Sequence, residues 1–387
     1  MKKKQKILYV MHMPPPIHGA SIMGRYVHES DLINQTFDCR FINLSASSEL
    51  KDIGRLSIRK VKNMSVGLIK VLKLIREYKP EVCYLTPSSS GLAFYRDFLW
   101  VQSIKLMGVK IVLHFHNKAH PSWVSKSFNR FLLRRFYDNV KIILLGKQLY
   151  SEKEPFLAES EVYYLPNGVP SMASESPMQS NKGNKAMNFL FLSNMIEEKG
   201  VYILLEACRI LKELNYIFKC DFVGQYKDVS ETDFNNMIKT YGLQDEARAR
   251  GPQYGNEKNM FFEQADVFVF PTHYQDECFP LVLLEAMDYS LPCISTINGA
   301  IPSVIEEGQT GYCIPQKDIE CLVDRMIWMI ENPKARIMMG AKGKERFHEK
   351  FTLNIFEKQL VNIFNDVIGK NDITSRRNTL VSVKQNV

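Results

Sequence analysis

Two carboxylates, Glu277 and Glu285, bracket a proline-started apolar run, Pro280-Leu-Val-Leu-Leu284, shortly after Asp266-Val-Phe-Val-Phe-Pro-Thr272. Pro280 suits the first position of a helix, where its missing N–H costs nothing. Leu281, Val282 and Leu283 would then present backbone donors without intrahelical partners at the positive end of the helix dipole. Such an end binds phosphate. Glu285 falls about 8 Å further along the axis, at ~1.5 Å per residue, far enough from a diphosphate on the helix tip to meet the adjoining ribose. Glu277 stays outside the helix, beside a reacting sugar. Types and spacing together read as a site for a sugar nucleotide.

Groups of this kind need strands that end just before them, and the chain supplies two series. The first takes Ile7 to Met11, Cys39 to Asn43, Val82 to Leu85, Lys110 to Phe115, Lys141 to Leu145 and Val162 to Leu165, ending at Pro166-Asn-Gly168. The second takes Asn188 to Ser193, Lys219 to Gly224, Val267 to Phe270, Pro292 to Thr296 and Gly311 to Ile314. Longer segments of helical period lie between these runs, which predicts two parallel sheets covered by helices, an α/β fold. A polar stretch from Ser171 to Ala186 marks the boundary, giving domains over residues 1–170 and 187–353. Two helical segments follow, about Lys334 to Glu349 and Asn354 to Ile368, and the tail 370–387, poor in large apolar residues, is expected to be disordered.

At 387 residues the chain exceeds one ordinary core and suits two domains. Eight cysteines stand singly, with no Cys-x-x-Cys pair and no histidine cluster at metal spacing, so the sequence points to a reducing compartment and to no metal. No segment reaches the ~18 to 20 apolar residues of a membrane span. The expected location is cytoplasmic, at most peripheral on the inner face of the membrane. The net charge of +8 sits mainly in the first half. Between Lys51 and Lys79, and again from Trp123 to Arg135, basic residues alternate with apolar ones at helical period. Such helices can lie on an anionic membrane surface, or simply cover a sheet with a solvated outer face. Nucleic acid is not expected, because no recognised motif accompanies the charge.

The segment from Glu277 to Glu285 resembles the Glu-x7-Glu signature of the retaining glycosyltransferases of GT-B fold, the family-four or glycosyl transferases group 1 type. Ordered company supports the resemblance: Glu198-Lys-Gly200, Gly224, Gly251, Asn298-Gly-Ala-Ile-Pro302 and Glu307-Gly-Gln-Thr-Gly311. It implies two Rossmann-like domains facing across a deep cleft, the first on the acceptor side and completed by the last helix, 354–369, the second holding the nucleotide sugar. His116, after the fourth strand, aligns with the histidine that the family places against the donor sugar. His114 would share its face only if the strand runs that far. Met13-Pro-Pro-Pro-Ile-His-Gly-Ala-Ser21 resembles the family's glycine-containing loop, with Gly19 and Ala20 at a helix start. Gly224 is expected to shape the base pocket, and Cys278, Phe279, Leu281, Val282 and Glu285 to line the donor. Lys199 follows a strand and opens a helix, so its ammonium can reach a diphosphate. One departure stands out. The family's usual glycine-arginine is here Ser193-Asn194, and Asn194 can donate a hydrogen bond but brings no charge; the family's serine near Gly146 is also missing.

The expected reaction is transfer of a sugar from a nucleotide diphosphate to an acceptor hydroxyl with retained configuration and no cofactor or metal. The leaving diphosphate would rest on Lys199 and the helix amides, with Glu277 and His116 at the anomeric centre. The acceptor is expected to be a saccharide or lipid-linked saccharide of cell-envelope polysaccharide assembly. Two other readings stay open: another GT-B enzyme, such as an epimerase or phosphorylase, and a non-catalytic nucleotide-sugar-binding or scaffold protein, which Asn194 favours.

Overall fold

A computed structural model describes residues 3–44, 58–173 and 186–369. It divides the chain into two compact units, Met1–Pro166 with Asn354–Val387, and Asn167–Leu353. The expected disordered tail 370–387, Lys51 and Arg55 of the first basic stretch, and 174–185 of the polar boundary lie outside the described residues.

The first unit holds β1 (Lys6–Met11), α1 (Gly19–Glu29), α2 (Asp31–Thr36), β2 (Asp38–Asn43), α3 (Ile58–Tyr78), β3 (Val82–Leu85), α4 (Gly91–Lys105), β4 (Lys110–Phe115), α5 (Pro121–Val124), α6 (Ser127–Tyr137), β5 (Lys141–Leu144) and β6 (Val162–Tyr164). Its strands pair in parallel in the order β2-β1-β3-β4-β5-β6. Helices cover both faces, so central strands such as Val82–Leu85 are apolar along their whole length rather than alternating. The basic stretch around Trp123 is two helices rather than one, broken at Ser125-Lys126. In α6 Leu132, Leu133, Phe136 and Tyr137 are buried while Phe128 and Phe131 are 65% and 55% exposed. No helix among the described residues is long and apolar enough to cross a membrane.

The second unit holds β7 (Met187–Leu192), α7 (Val201–Glu213), β8 (Phe218–Val223), α8 (Glu231–Thr240), β9 (Ala247–Gly251), α9 (Gly255–Gln264), β10 (Val267–Phe270), α10 (Leu281–Asp288), β11 (Cys293–Thr296), α11 (Ile301–Val304), β12 (Gly311–Ile314), α12 (Ile319–Glu331) and α13 (Pro333–Lys350). The order is β12-β11-β10-β7-β8-β9, again parallel throughout. β9, Ala-Arg-Ala-Arg-Gly, was not in the expected series: an edge strand needs only one apolar face, and alanine marks that face weakly. The last helix, α14 (Leu353–Ile368), belongs to the first unit from Asn354 onward. Phe364 packs edge-on against Tyr9, Phe37 and Tyr84 at 5.7–5.8 Å, and Lys110 Nζ caps the Val367 carbonyl at 2.8 Å.

Strand order locates the places where ligands can enter. In each sheet the chain runs out to one edge and then returns to build the other, leaving a crevice at the carboxyl ends where the order reverses. That point lies between β7 and β10 in the second unit and between β1 and β3 in the first.

Candidate functional site

Lys199 and Glu277 both lie at the reversal point of the second unit. After β7 the chain turns through Ser193 to Ile196 into a short 3₁₀ turn, Glu197–Lys199, and Gly200 opens α7. Gly200 has φ +89, and a Cβ there would stand 2.2 Å from the Pro271 carbonyl oxygen, so only glycine lets this turn lie against the end of β10. Across that contact, His273 N–H donates to the Glu198 carbonyl at 2.8 Å.

Beyond β10 the loop carries Glu277, whose N–H donates to the Tyr274 carbonyl at 3.0 Å and which is buried, 8% exposed as a residue. Lys199 Nζ donates to the Glu277 carboxylate and stands 4.4 Å from the centre of the Tyr274 ring. The two charges are 15% and 9% exposed, so each depends on the other. From below, Gly299 (φ +54) packs against the carbonyls of Glu277 and Cys278, and Ala300 N–H donates to the latter at 2.8 Å. Asn298 Nδ2 donates to the Tyr274 carbonyl at 2.9 Å. Hence the loop 298–300 fixes Glu277 through backbone.

Pro280 is the cap of α10, not its first helical residue, and the expectation of three free amides needs correcting. Leu283 N–H is turned onto the Pro280 carbonyl at 3.2 Å, because the proline carbonyl already faces into the helix. The amides of Leu281 and Val282 remain, forming no hydrogen bond among the described residues, and both residues reach the surface. Cys278 and Phe279 are 3% and 5% exposed; Phe279 packs on Phe351 at 6.1 Å, so both support the loop from inside. One turn along, Glu285 accepts from Lys258 Nζ of α9 at 2.6 Å. Sequence reading missed Lys258, since nothing local marks a partner 27 residues away.

Asn194 is exposed, and its side chain takes no part in the hydrogen bonds found among the described residues. Gly224 sits against Ser193, with a Cβ at 1.7 Å from that carbonyl oxygen were one present. Its absence of side chain serves packing of β8 on the turn that leads to Asn194.

The first unit gathers its own groups at the β1–β3 reversal. His18 caps α1, its Nδ1 accepting from Ser21 N–H at 3.3 Å while Ser21 Oγ accepts from His18 N–H at 3.0 Å, with Gly19 and Ala20 in the first turn. His116 lies one residue past β4, its ring 4.2 Å from that of His114. His114 is fully buried on the Tyr84 hydroxyl at 2.6 Å, so it is a core residue, whereas His116 keeps some exposure. Burial, with His12 and His18 adding to it, pushes His116 down to about 3 from the ordinary 6.5. Between these values the unfolded chain binds more protons, so the stability this ring contributes is full above about 6.5 and is lost as pH falls toward 3. Urea midpoints measured from pH 7 to pH 4 are expected to fall in the parent chain and to fall less steeply in His116→Asn; equal slopes would refute the assignment.

Residues 173–346 match the family model described as glycosyl transferases group 1. Among curated relatives, the putative colanic acid biosynthesis glycosyltransferase WcaL of Salmonella typhimurium is 25% identical over 187 residues, covering 47% of this chain and 45% of that protein. The amylovoran biosynthesis glycosyltransferase AmsK of Erwinia amylovora is 26% identical over 184 residues, 46% and 45% of the two chains. The chain thus spans about half the length of the curated relatives it matches. Among solved structures, Anabaena HepE in complex with UDP superposes with TM-score 0.71 at 13% identity, over 94% of this chain and all of that one. Glu277, Lys199, Leu281 and Glu285 all fall inside the segment that matches the glycosyl transferases group 1 model, residues 173–346, in a chain of GT-B fold.

Proposed function

We propose that the chain is a retaining glycosyltransferase, moving a sugar from a nucleotide diphosphate to an acceptor hydroxyl in polysaccharide assembly. The observation that carries this is the Lys199–Glu277 pair, buried at the reversal point of the second sheet, with the amides of Leu281 and Val282, unpartnered among the described residues, a few residues further along the same loop. A diphosphate set on Leu281 and Val282 N–H would draw the Lys199 ammonium, and Glu277, so uncovered, would face the sugar as positive charge develops at its anomeric carbon. The leaving phosphate oxygen then accepts the acceptor's proton on the same face, which retains configuration. This reading places the leaving charge on Lys199 and backbone, without calling on a metal or cofactor. The relatives named for colanic acid and amylovoran biosynthesis support the polysaccharide setting, and HepE's UDP supports a nucleotide donor.

Glu285 is assigned to the ribose hydroxyls, held in place by Lys258. Glu285→Ala is expected to weaken binding of the nucleoside diphosphate about tenfold with little change in kcat, the signature of uniform binding. It should also erase the preference for ribo- over 2′-deoxyribonucleotide in calorimetric titrations; a preserved preference would remove Glu285 from the ribose.

An anionic membrane surface is proposed as a partner of the first unit. Phe128 and Phe131 stand exposed on α6 among Lys126, Arg134 and Arg135, also exposed. Apolar side chains within a basic face suit the headgroup region. The chain is expected to float with phosphatidylglycerol liposomes at low salt and to lose this in Phe128→Ser/Phe131→Ser; no salt-sensitive flotation would contradict the proposal.

A further inference from the structure

Arg96 of α4 is a cation with capacity to spare. Its Nε donates to Asp97 Oδ1 at 2.7 Å, while Asp97 Oδ2 accepts from Ser88 N–H at 2.8 Å, so one carboxylate ties the guanidinium to the loop after β3. Its Nη2 is buried and has no hydrogen-bond partner among the described residues. A guanidinium fixed at one edge with an unpaired donor at another is a fork prepared for an oxyanion. Leaving that buried donor unpaired is costly, and a ligand oxygen would recover the loss.

The surroundings add ring nitrogens to this one charge. His12, just past β1, donates its backbone N–H to Thr86 Oγ1 beyond β3 at 3.2 Å, and its ring lies 6.0 Å from that of His18. His116, just past β4, has a buried Nδ1 without a partner among the described residues. Electrostatically Arg96 and His18 act on His12, and His12 and His18 act on His116, so that these neighbours lower the two imidazoles beyond the effect of burial. Three imidazoles and a guanidinium therefore gather at the carboxyl ends of β1, β3 and β4, with Asp97 already spent on Ser88 and Arg96.

We propose that Arg96, with His12, His18 and His116, forms an anion subsite of the first unit that takes a phosphoryl group. Neutral imidazoles supply directed N–H donors at little desolvation cost, and Arg96 supplies the charge. The group it takes is a phosphate carried by the acceptor. Binding itself is independent of glycosyl transfer, whereas the identity of its carrier rests on the reading above.

The test follows imidazole ¹⁵N resonances of the full chain, histidine-labelled, during titration with inorganic phosphate. The His12 and His116 signals are expected to shift saturably, and Arg96→Met to weaken the apparent affinity at least tenfold while Arg96→Lys keeps most of it. The His114 signal, from the ring buried on Tyr84, reports whether the fold is kept; where it moves in Arg96→Met, Arg96→Lys and Arg96→Gln are compared instead. Absence of a saturable shift, or equal affinity in the parent and charge-removed chains, would overturn the subsite. Repeating the titration with saturating UDP checks the carrier: simultaneous binding of phosphate and UDP is expected, and displacement of phosphate by UDP would overturn the acceptor assignment.

Discussion

Glu277→Gln is expected to leave a folded chain whose turnover is about a hundred- to a thousandfold below the parent, the scale seen when one preorganised electrostatic partner is removed from a reacting centre. Glutamine keeps the volume, so the packing of Gly299 and Ala300 beneath the loop survives. What changes is charge: Lys199, 15% exposed, would lose its counter-ion. Breaking a buried pair on one side costs about 3–5 kcal/mol in well-closed sites. Here the remaining exposure and the Tyr274 ring at 4.4 Å offset part of that, since a cation over an aromatic face gains about 0.5–2 kcal/mol. A melting temperature several degrees lower should therefore accompany the loss of activity. Circular dichroism and a nucleotide-release assay on the same preparation would check both; turnover within tenfold of the parent would remove Glu277 from the chemistry.

Gly200→Ala should do nearly as much damage without touching a charged group. The methyl would enter a left-handed residue, φ +89, and meet the Pro271 oxygen at 2.2 Å and its carbon at 2.7 Å. Backbone cannot yield as a side-chain tip can, so the turn carrying Lys199 must move off β10. A displacement of about 1 Å at a positioned group commonly costs a factor of about 10² in rate. Gly242→Ala makes the control, because that glycine is also left-handed, φ +67, but has no atom within 4 Å of the added carbon. It should cost only the conformational penalty, about 1–2 kcal/mol, and leave kcat unchanged. Equal activity losses in the two variants would show that strain at any such glycine, and not the contact under Lys199, is responsible.

The strands were legible because covered parallel sheets demand short, wholly apolar runs, and Val-Phe-Val-Phe at β10 has no other easy reading. Where burial is one-sided the signal thins, which is why only the end of Ala247–Gly251, at Gly251, was legible and its length was not. At the site, residue types announced Glu277, Glu285 and Lys199, but not who pairs with whom. That Lys199 rests on Glu277 depends on two loops brought together by the strand reversal, a relation between residues 78 apart. Pro280 misled by one position, since proline fits both a cap and a first turn and only the carbonyl direction separates them. Lys153 gave no sign at all: a lysine 2% exposed, 4.5 Å above the Phe115 ring, looks in sequence like any surface lysine.

The central claim is retention at the anomeric carbon, with Lys199 and Glu277 parting around the diphosphate. It is tested most directly by incubating the full chain with the nucleotide sugar that most raises its melting temperature and a membrane extract as acceptor, then reading the anomeric coupling of the transferred sugar by NMR. The account predicts released nucleoside diphosphate, a new glycosidic bond of the donor's own configuration, and loss of both in Glu277→Gln. An inverted bond would contradict the mechanism, and donor binding with no release in the parent chain would leave a nucleotide-sugar-binding protein in place of an enzyme.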